Sequence, residues 1–197
     1  MNSFNRLVAF YDRNIVKHQG WKPVPGSDIG FLYLVPMVYK GKKVTLDDGC
    51  VIMKGDQIFQ IHVINTNLAN LDTGRENLYT MLKGELIHVG ELMQTEEYRD
   101  YKALLSVTLL HRLTREVGFT VREIENPLNR KMISLGENIL RSALRKGKNV
   151  KDGKKRIAKE CWISRNQILK LKNLEYSKCC LLCIGGLFLY LLLNQSD

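Results

Sequence analysis

From Asp56 to Asn65, strand alternation sends Asp56, Ile58, Gln60, His62 and Ile64 to one face and Gln57, Phe59, Ile61, Val63 and Asn65 to the other. An imidazole and a carboxylate on one face are the residue types of acid–base chemistry. Six residues of extended chain hold Asp56 about 20 Å from His62, too far for direct contact, so they are not a dyad. Asn65, Asn67 and Asp72 follow in a turn-rich stretch, where such side chains ordinarily cap helices and close turns. Arg112 and Arg115, three apart on an expected helix, are surface neighbours that could clamp a phosphate or a sugar acid. The competing use is a solvated ion pair with Glu116 or Glu91. His18, His62, His88 and His111 are scattered and lack metal-ligand spacing, so no zinc site is expected. No phosphate loop, dinucleotide fingerprint or serine elbow is present, and no cofactor is expected.

The elements that would position these groups can be read from periodicity. Phe4, Leu7, Val8, Tyr11 and Ile15 form one stripe of an amphipathic helix within the first seventeen residues. Residues 19–30 hold two prolines and three glycines around Trp21 and predict a loop whose indole covers an edge of the core. Residues 31–39 predict a strand that Pro36 makes an edge or a bulged one. Segments 44–46, 50–53 and 57–64, joined by turns at Asp47-Asp48-Gly49 and Lys54-Gly55, predict a three-stranded meander. From 75 to 117 the apolar period lengthens, through Leu78, Met81, Leu82, Leu86 and Val89 and then Leu104, Val107, Thr108 and Leu110. This spacing predicts two helices broken near Gln94-Thr95, the second ended by Gly118. A strand at 119–124 should follow, then a helix from Pro127 to Lys146 with Met132, Leu135, Ile139, Leu140 and Leu144 inward. Residues 147–156 read as a solvated loop, 157–163 as a last strand, and Ser164 as the cap of a helix over 165–172. The fold class is α+β, a small mainly antiparallel sheet packed with several helices, plus a C-terminal apolar helix.

The net charge of +10 is concentrated. Residues 1–140 carry 17 basic and 16 acidic side chains, whereas 141–178 carry 13 basic and 3 acidic. Immediately after comes CCLLCIGGLFLYLLL, residues 179–193, without a charge. As a helix it would span about 22 Å against a hydrocarbon core of ~30 Å; inclusion of Leu174 and Tyr176, snorkelling by Lys178 and local thinning would cover the difference. The run is apolar on every face and the basic excess sits on its amino-terminal side, which favours a single-pass membrane anchor with the domain on the cytoplasmic side. The alternative is a buried element of the core. Lys148, Lys151, Lys154, Lys155, Arg156 and Lys159 would then meet anionic lipid head groups. Nucleic acid is the rival partner, disfavoured because these lysines are not interleaved with aromatics. Five cysteines, Cys50, Cys161, Cys179, Cys180 and Cys183, give no even framework for disulfides, and the first eighteen residues lack the uninterrupted apolar core of a secretory signal.

In order, the amino-terminal helix, VTLDDGCVIMKGDQIFQIHVINTNL, LLHRLTREVGF and KECWISRNQIL resemble the YkoP-like family of small bacterial domains over residues 1–172. That leaves 173–178 as a basic juxtamembrane linker and 179–193 as the anchor. The resemblance implies a domain found alone or joined to polysaccharide deacetylase and related envelope domains, with envelope-biosynthesis proteins as possible partners. It brings no established catalytic residues; the deacetylase metal motifs are absent. For a shared site, the candidates are His62, Asp56, Asn65 and Arg112. The leading expectation is a membrane-anchored accessory or binding domain in envelope polysaccharide or lipid-carrier metabolism, at the cell membrane. The alternatives are an enzyme on an anionic glycolipid or phosphate-bearing substrate, with His62 as acid or base and Arg112 as clamp, and a basic nucleic-acid-binding regulator.

Overall fold

The computed structural model describes Val16 and residues 21–63, 74–144 and 155–174, with side chains at 139–144 excepted. The expected amino-terminal helix, apart from Val16, the loop 147–154 and the run 179–193 lie outside these described residues, as do Asn65, Asn67 and Asp72.

Among the described residues, eight strands form two sheets. β1 (Lys22–Pro23), β2 (Leu32–Val38), β5 (Gln57–Val63), β6 (Ala103–Thr108), β7 (Thr120–Arg122) and β8 (Lys159–Ser164) build a six-stranded sheet in the order β1-β2-β5-β6-β8-β7. Four of its pairings are antiparallel and one, β5 with β6, is parallel. β3 (Val44–Thr45) and β4 (Val51–Ile52) make a separate hairpin. The expected meander is therefore corrected: β5 leaves the hairpin and pairs along its full length with β2. Among the described residues the helices are α1 (Arg75–Met93), α2 (His111–Val117), α3 (Pro127–Leu144) and α4 over 165–174, with a 3-10 turn at Glu96–Tyr98.

Pro36 is accommodated as its chemistry requires. Tyr39 N–H donates to the Asp56 carbonyl, which makes Pro36 and Phe59 a pair that exchanges no ladder bonds. The missing donor of Pro36 thus faces away from β5, on the side where β1 has already ended, since β1 reaches only Tyr33 and Leu34.

The second expected helix is replaced in its first half by β6. Ala103 and Leu104 are buried on opposite faces of the sheet, so a nearly continuous apolar run satisfies a strand between β5 and β8 as well as it would a helix. Only His111–Val117 is helical, and Gly118 at φ 109° closes it, its amide bonded to the Arg115 carbonyl.

One face of the sheet carries the main core. Leu32, Leu34, Phe59, Ile61, Leu104 and Ile163 pack there against Leu82, Leu86, Val89 and Met93 of α1, Leu113 and Val117 of α2, and Ile168 of α4. The other face is closed at one end by the β3–β4 hairpin, where Val44, Leu46 and Ile52 meet Ile58, Ala103 and Trp162. Ser164 joins these layers. Its hydroxyl accepts from Gln167 N–H at 3.0 Å, Gln167 returns a side-chain bond to Ser164 N–H, and the same hydroxyl donates to Asp48 at the tip of the hairpin. This is a reciprocal cap on α4 with a third partner.

Asn126 caps α3 through bonds to the amides of Leu128 and Asn129, and Pro127 takes the first helical position. Contrary to the expected inward stripe, Met132 is 64% exposed and Leu135 56%. Polar contacts, described below, turn the opposite side of this helix to the protein. The side chains of Ile139, Leu140 and Leu144 lie outside those described.

Candidate functional site

His62 points to the same sheet face as the hairpin, beyond the end the hairpin covers, where its ring stacks on Trp21 with centroids 3.8 Å apart and planes 12° from parallel. Burial under the indole drives its pKa down to about 4, so the imidazole is neutral at pH 7. Asp56 is committed to the turn before β5. Its two oxygens take the Met53 amide at 2.7 Å and the Lys102 ammonium at 2.8 Å. Burial would raise its pKa, but these two partners outweigh that and leave it lowered. α2, which carries Arg112, covers the face of Phe59 and Ile61 through Leu113 and Val117. The sheet itself therefore separates Arg112 from His62. Neither expected acid partner joins Arg112: Glu116 binds Arg75, and Glu91 binds His88. Asn65 lies outside the described residues.

Of the six expected head-group ligands, Lys148, Lys151 and Lys154 lie outside the described residues. Lys155 and Arg156 are exposed. Lys159 instead reaches Glu123 at 2.6 Å and lowers the pKa of that carboxyl. Among the described residues, no group of three or more His, Cys, Asp or Glu could hold a metal ion, and none of the helices is long and apolar enough to cross a membrane.

A concavity lies elsewhere, among the described residues. β5 and β6 run parallel and end together, at Val63 and Thr108, and between them, α1 and α2 lies a narrow cleft with a free volume of about 40 Å³. Apolar side chains dominate its wall, among them Ile61, Val63, Leu78, Leu113 and Phe119. Three hydroxyls interrupt them, from Ser106, Thr108 and Thr114. Thr108 Oγ1 accepts from the Leu110 amide at 3.0 Å, while Thr114 Oγ1 donates to the His111 carbonyl and approaches Cys161 Sγ at 3.1 Å. The Ser106 hydroxyl forms no hydrogen bond among the described residues. The lining is apolar enough to contact an alkyl group, and the Ser106 hydroxyl could meet a polar atom on it, but the cleft would have to widen to admit a chain. The position, beyond the carboxyl ends of parallel strands, is where open sheets commonly leave a crevice.

Beside the cleft, Phe31 is held by a buried carboxylate. Glu85 of α1 is 2% exposed; its Oε1 accepts from Ser27 Oγ and, at 3.4 Å, from the Phe31 amide, while Oε2 is buried without a partner. Burial raises its pKa, against the opposing pull of Ser27, Phe31, His88 and Gly30.

The cleft and Glu85 were missed by sequence reasoning for identifiable reasons. Ser106 and Thr108 were placed on a helix, which scattered the hydroxyls that a strand gathers on one face. Glu85 lies three residues beyond Leu82 and four before Val89, on the buried stripe of α1, and that spacing was a usable signal.

Compared with known proteins, the chain matches the family model described as the YkoP domain over residues 2–172. No curated protein and no solved structure matches it.

Proposed function

The chain belongs to the YkoP domain family, and from that premise we propose that it is an accessory binding domain for the apolar chain of an amphipathic envelope molecule, such as a lipid carrier of polysaccharide synthesis. The observation that carries this reading is the apolar cleft at the shared end of β5 and β6, with Ser106 as its free polar group. In the same reading residues 179–193 keep the domain at the cell membrane on its cytoplasmic side, where such ligands reside. Envelope-biosynthesis proteins would be its partners.

The enzymatic alternative gains nothing from the arrangement of its candidates. An imidazole with a pKa of about 4 is a weak base at pH 7, and Arg112 stands over the opposite face. A nucleic-acid partner would bind through Lys148 to Lys159 with steep salt dependence.

The test of the binding reading is a titration of the full chain with a fluorescent polyprenyl phosphate in mild detergent. Ser106→Trp, which fills the cleft from the middle of β6, should weaken binding by about tenfold or more. Equal affinity of the Ser106→Trp and parent chains would reject the cleft as the site. Attachment by 179–193 predicts that the full chain resists carbonate and high-salt washes of a membrane pellet; release by either wash counts against it.

A further inference from the structure

We propose that the outward face of α3 is a membrane-docking surface, laid on an anionic lipid bilayer. The proposal rests on the reading that this chain works at a membrane, but on a different part of the molecule from the cleft or residues 179–193. α3 is amphipathic in the reverse sense from a core helix. Its inward seam is polar. Ser134 Oγ accepts from the Ala158 amide at 2.9 Å, and Asn138 bonds both backbone groups of Arg156, giving to the carbonyl at 2.7 Å and accepting from the amide at 3.2 Å. Arg130, one turn before Ser134, lies 3.7 Å from Glu123. Arg130, Ser134 and Asn138 thus line one side at four-residue steps. With 3.6 residues per turn, Leu128, Met132 and Leu135 fall roughly 100° to 160° around the helix from Ser134 at the middle of that seam. They are 64%, 64% and 56% exposed. A core helix would bury this stripe; here the bonds of Ser134 and Asn138 hold it away from the protein.

The choice of occupant follows from charge. Residues 127–156 contain ten lysines and arginines against two acidic residues. Lys131 on α3 and Lys155 and Arg156 on the segment it holds, before β8, are all exposed. An apolar stripe within strongly basic surroundings matches the interface of an anionic bilayer, where the stripe enters the acyl boundary and the cations meet head groups. A second copy of this chain would bring the same positive charge against itself, which disfavours self-association through this face.

The experiment uses the full chain with Leu135→Trp, mixed with phosphatidylcholine vesicles with or without phosphatidylglycerol, some carrying brominated acyl chains. Fluorescence is read as the difference from the parent chain. The introduced indole should shift to the blue and be quenched by the brominated lipid when phosphatidylglycerol is present. Lys131→Glu combined with Lys155→Glu should weaken that response, by at least about fivefold for each cation removed. Leu135 is exposed, so the substitution leaves the core alone. Sedimentation of the chain with vesicles while the indole stays unquenched would overturn docking by α3 and leave anchoring by 179–193 standing. Failure to sediment with either vesicle would overturn both. A blue-shifted indole before vesicles are added would also overturn the proposal: concentration dependence would then identify a second copy as the cover, and its absence another segment of the same chain.

Discussion

His62 illustrates how a residue type associated with catalysis can be fixed in a structural state. Stacked on Trp21 and largely removed from water, it favours the neutral form in the folded chain. Its folded pKa of about 4 lies below the ordinary value of 6.5, so its contribution to stability is fully present above pH 6.5 and is lost as pH falls toward 4. Within that window the slope approaches about 1.4 kcal/mol per pH unit. In denaturant titrations across pH, His62→Phe, which keeps the stack but cannot titrate, should remove this slope; an unchanged slope would assign it to other groups. Glu85 has the opposite sign. Its pKa is raised above 4.5, so its contribution is present at low pH and declines as pH rises through the folded value. Glu85→Gln should therefore be more stable than the parent at alkaline pH, with the advantage vanishing below pH 4.5. The same unfolding titrations measure both. His62 was singled out in the sequence, yet its stacking was not legible there, because Trp21 lies about forty residues away and reaches it only through the β2–β5 pairing.

At the scale of elements, the joints carry more information than the interiors. The reciprocal bonds of Ser164 and Gln167 start α4, and the third bond of Ser164 ties that helix to the hairpin through Asp48. Ser164→Ala should cost about 1 to 2 kcal/mol in equilibrium unfolding. Most of this should vanish in the Asp48→Ala background if the hairpin bond dominates, and persist if the cap does. Ser164 as a cap, Gly118 as a helix stop and Pro127 as a helix start could all be read locally, since each depends on a few adjacent residues. The ends of α1 were legible for the same reason. β6 and the inward side of α3 were not. The run ALLSVT fits either period when isolated, and it becomes a strand because β5 and β8 supply ladder partners on both sides. The stripe of α3 obeys helical spacing, but Asn138 and Ser134 outcompete it for the protein side by satisfying backbone groups that would otherwise go unpaired.

For the whole molecule, the order β2-β5-β6-β8 puts the two parallel strands at the centre of the sheet, with α1 and α2 over the same face. Because β5 and β6 point the same way, the chain leaves both at one end, and the cleft opens there. A single parallel pairing in an otherwise antiparallel sheet is thus what creates the candidate site, and no local pattern announces it. Ligand in the cleft would bind the folded state alone and should raise the melting temperature with ligand concentration. The most direct measurement of the central claim is a titration of methyl-labelled protein with a long-chain alkyl phosphate, followed by NMR. The account predicts saturable shifts confined to Ile61, Val63, Leu78 and Leu113 around the cleft, with Ile58 and Ile52 beneath the hairpin unmoved. Shifts that cluster on the hairpin face, or none at all at saturating ligand, would contradict it.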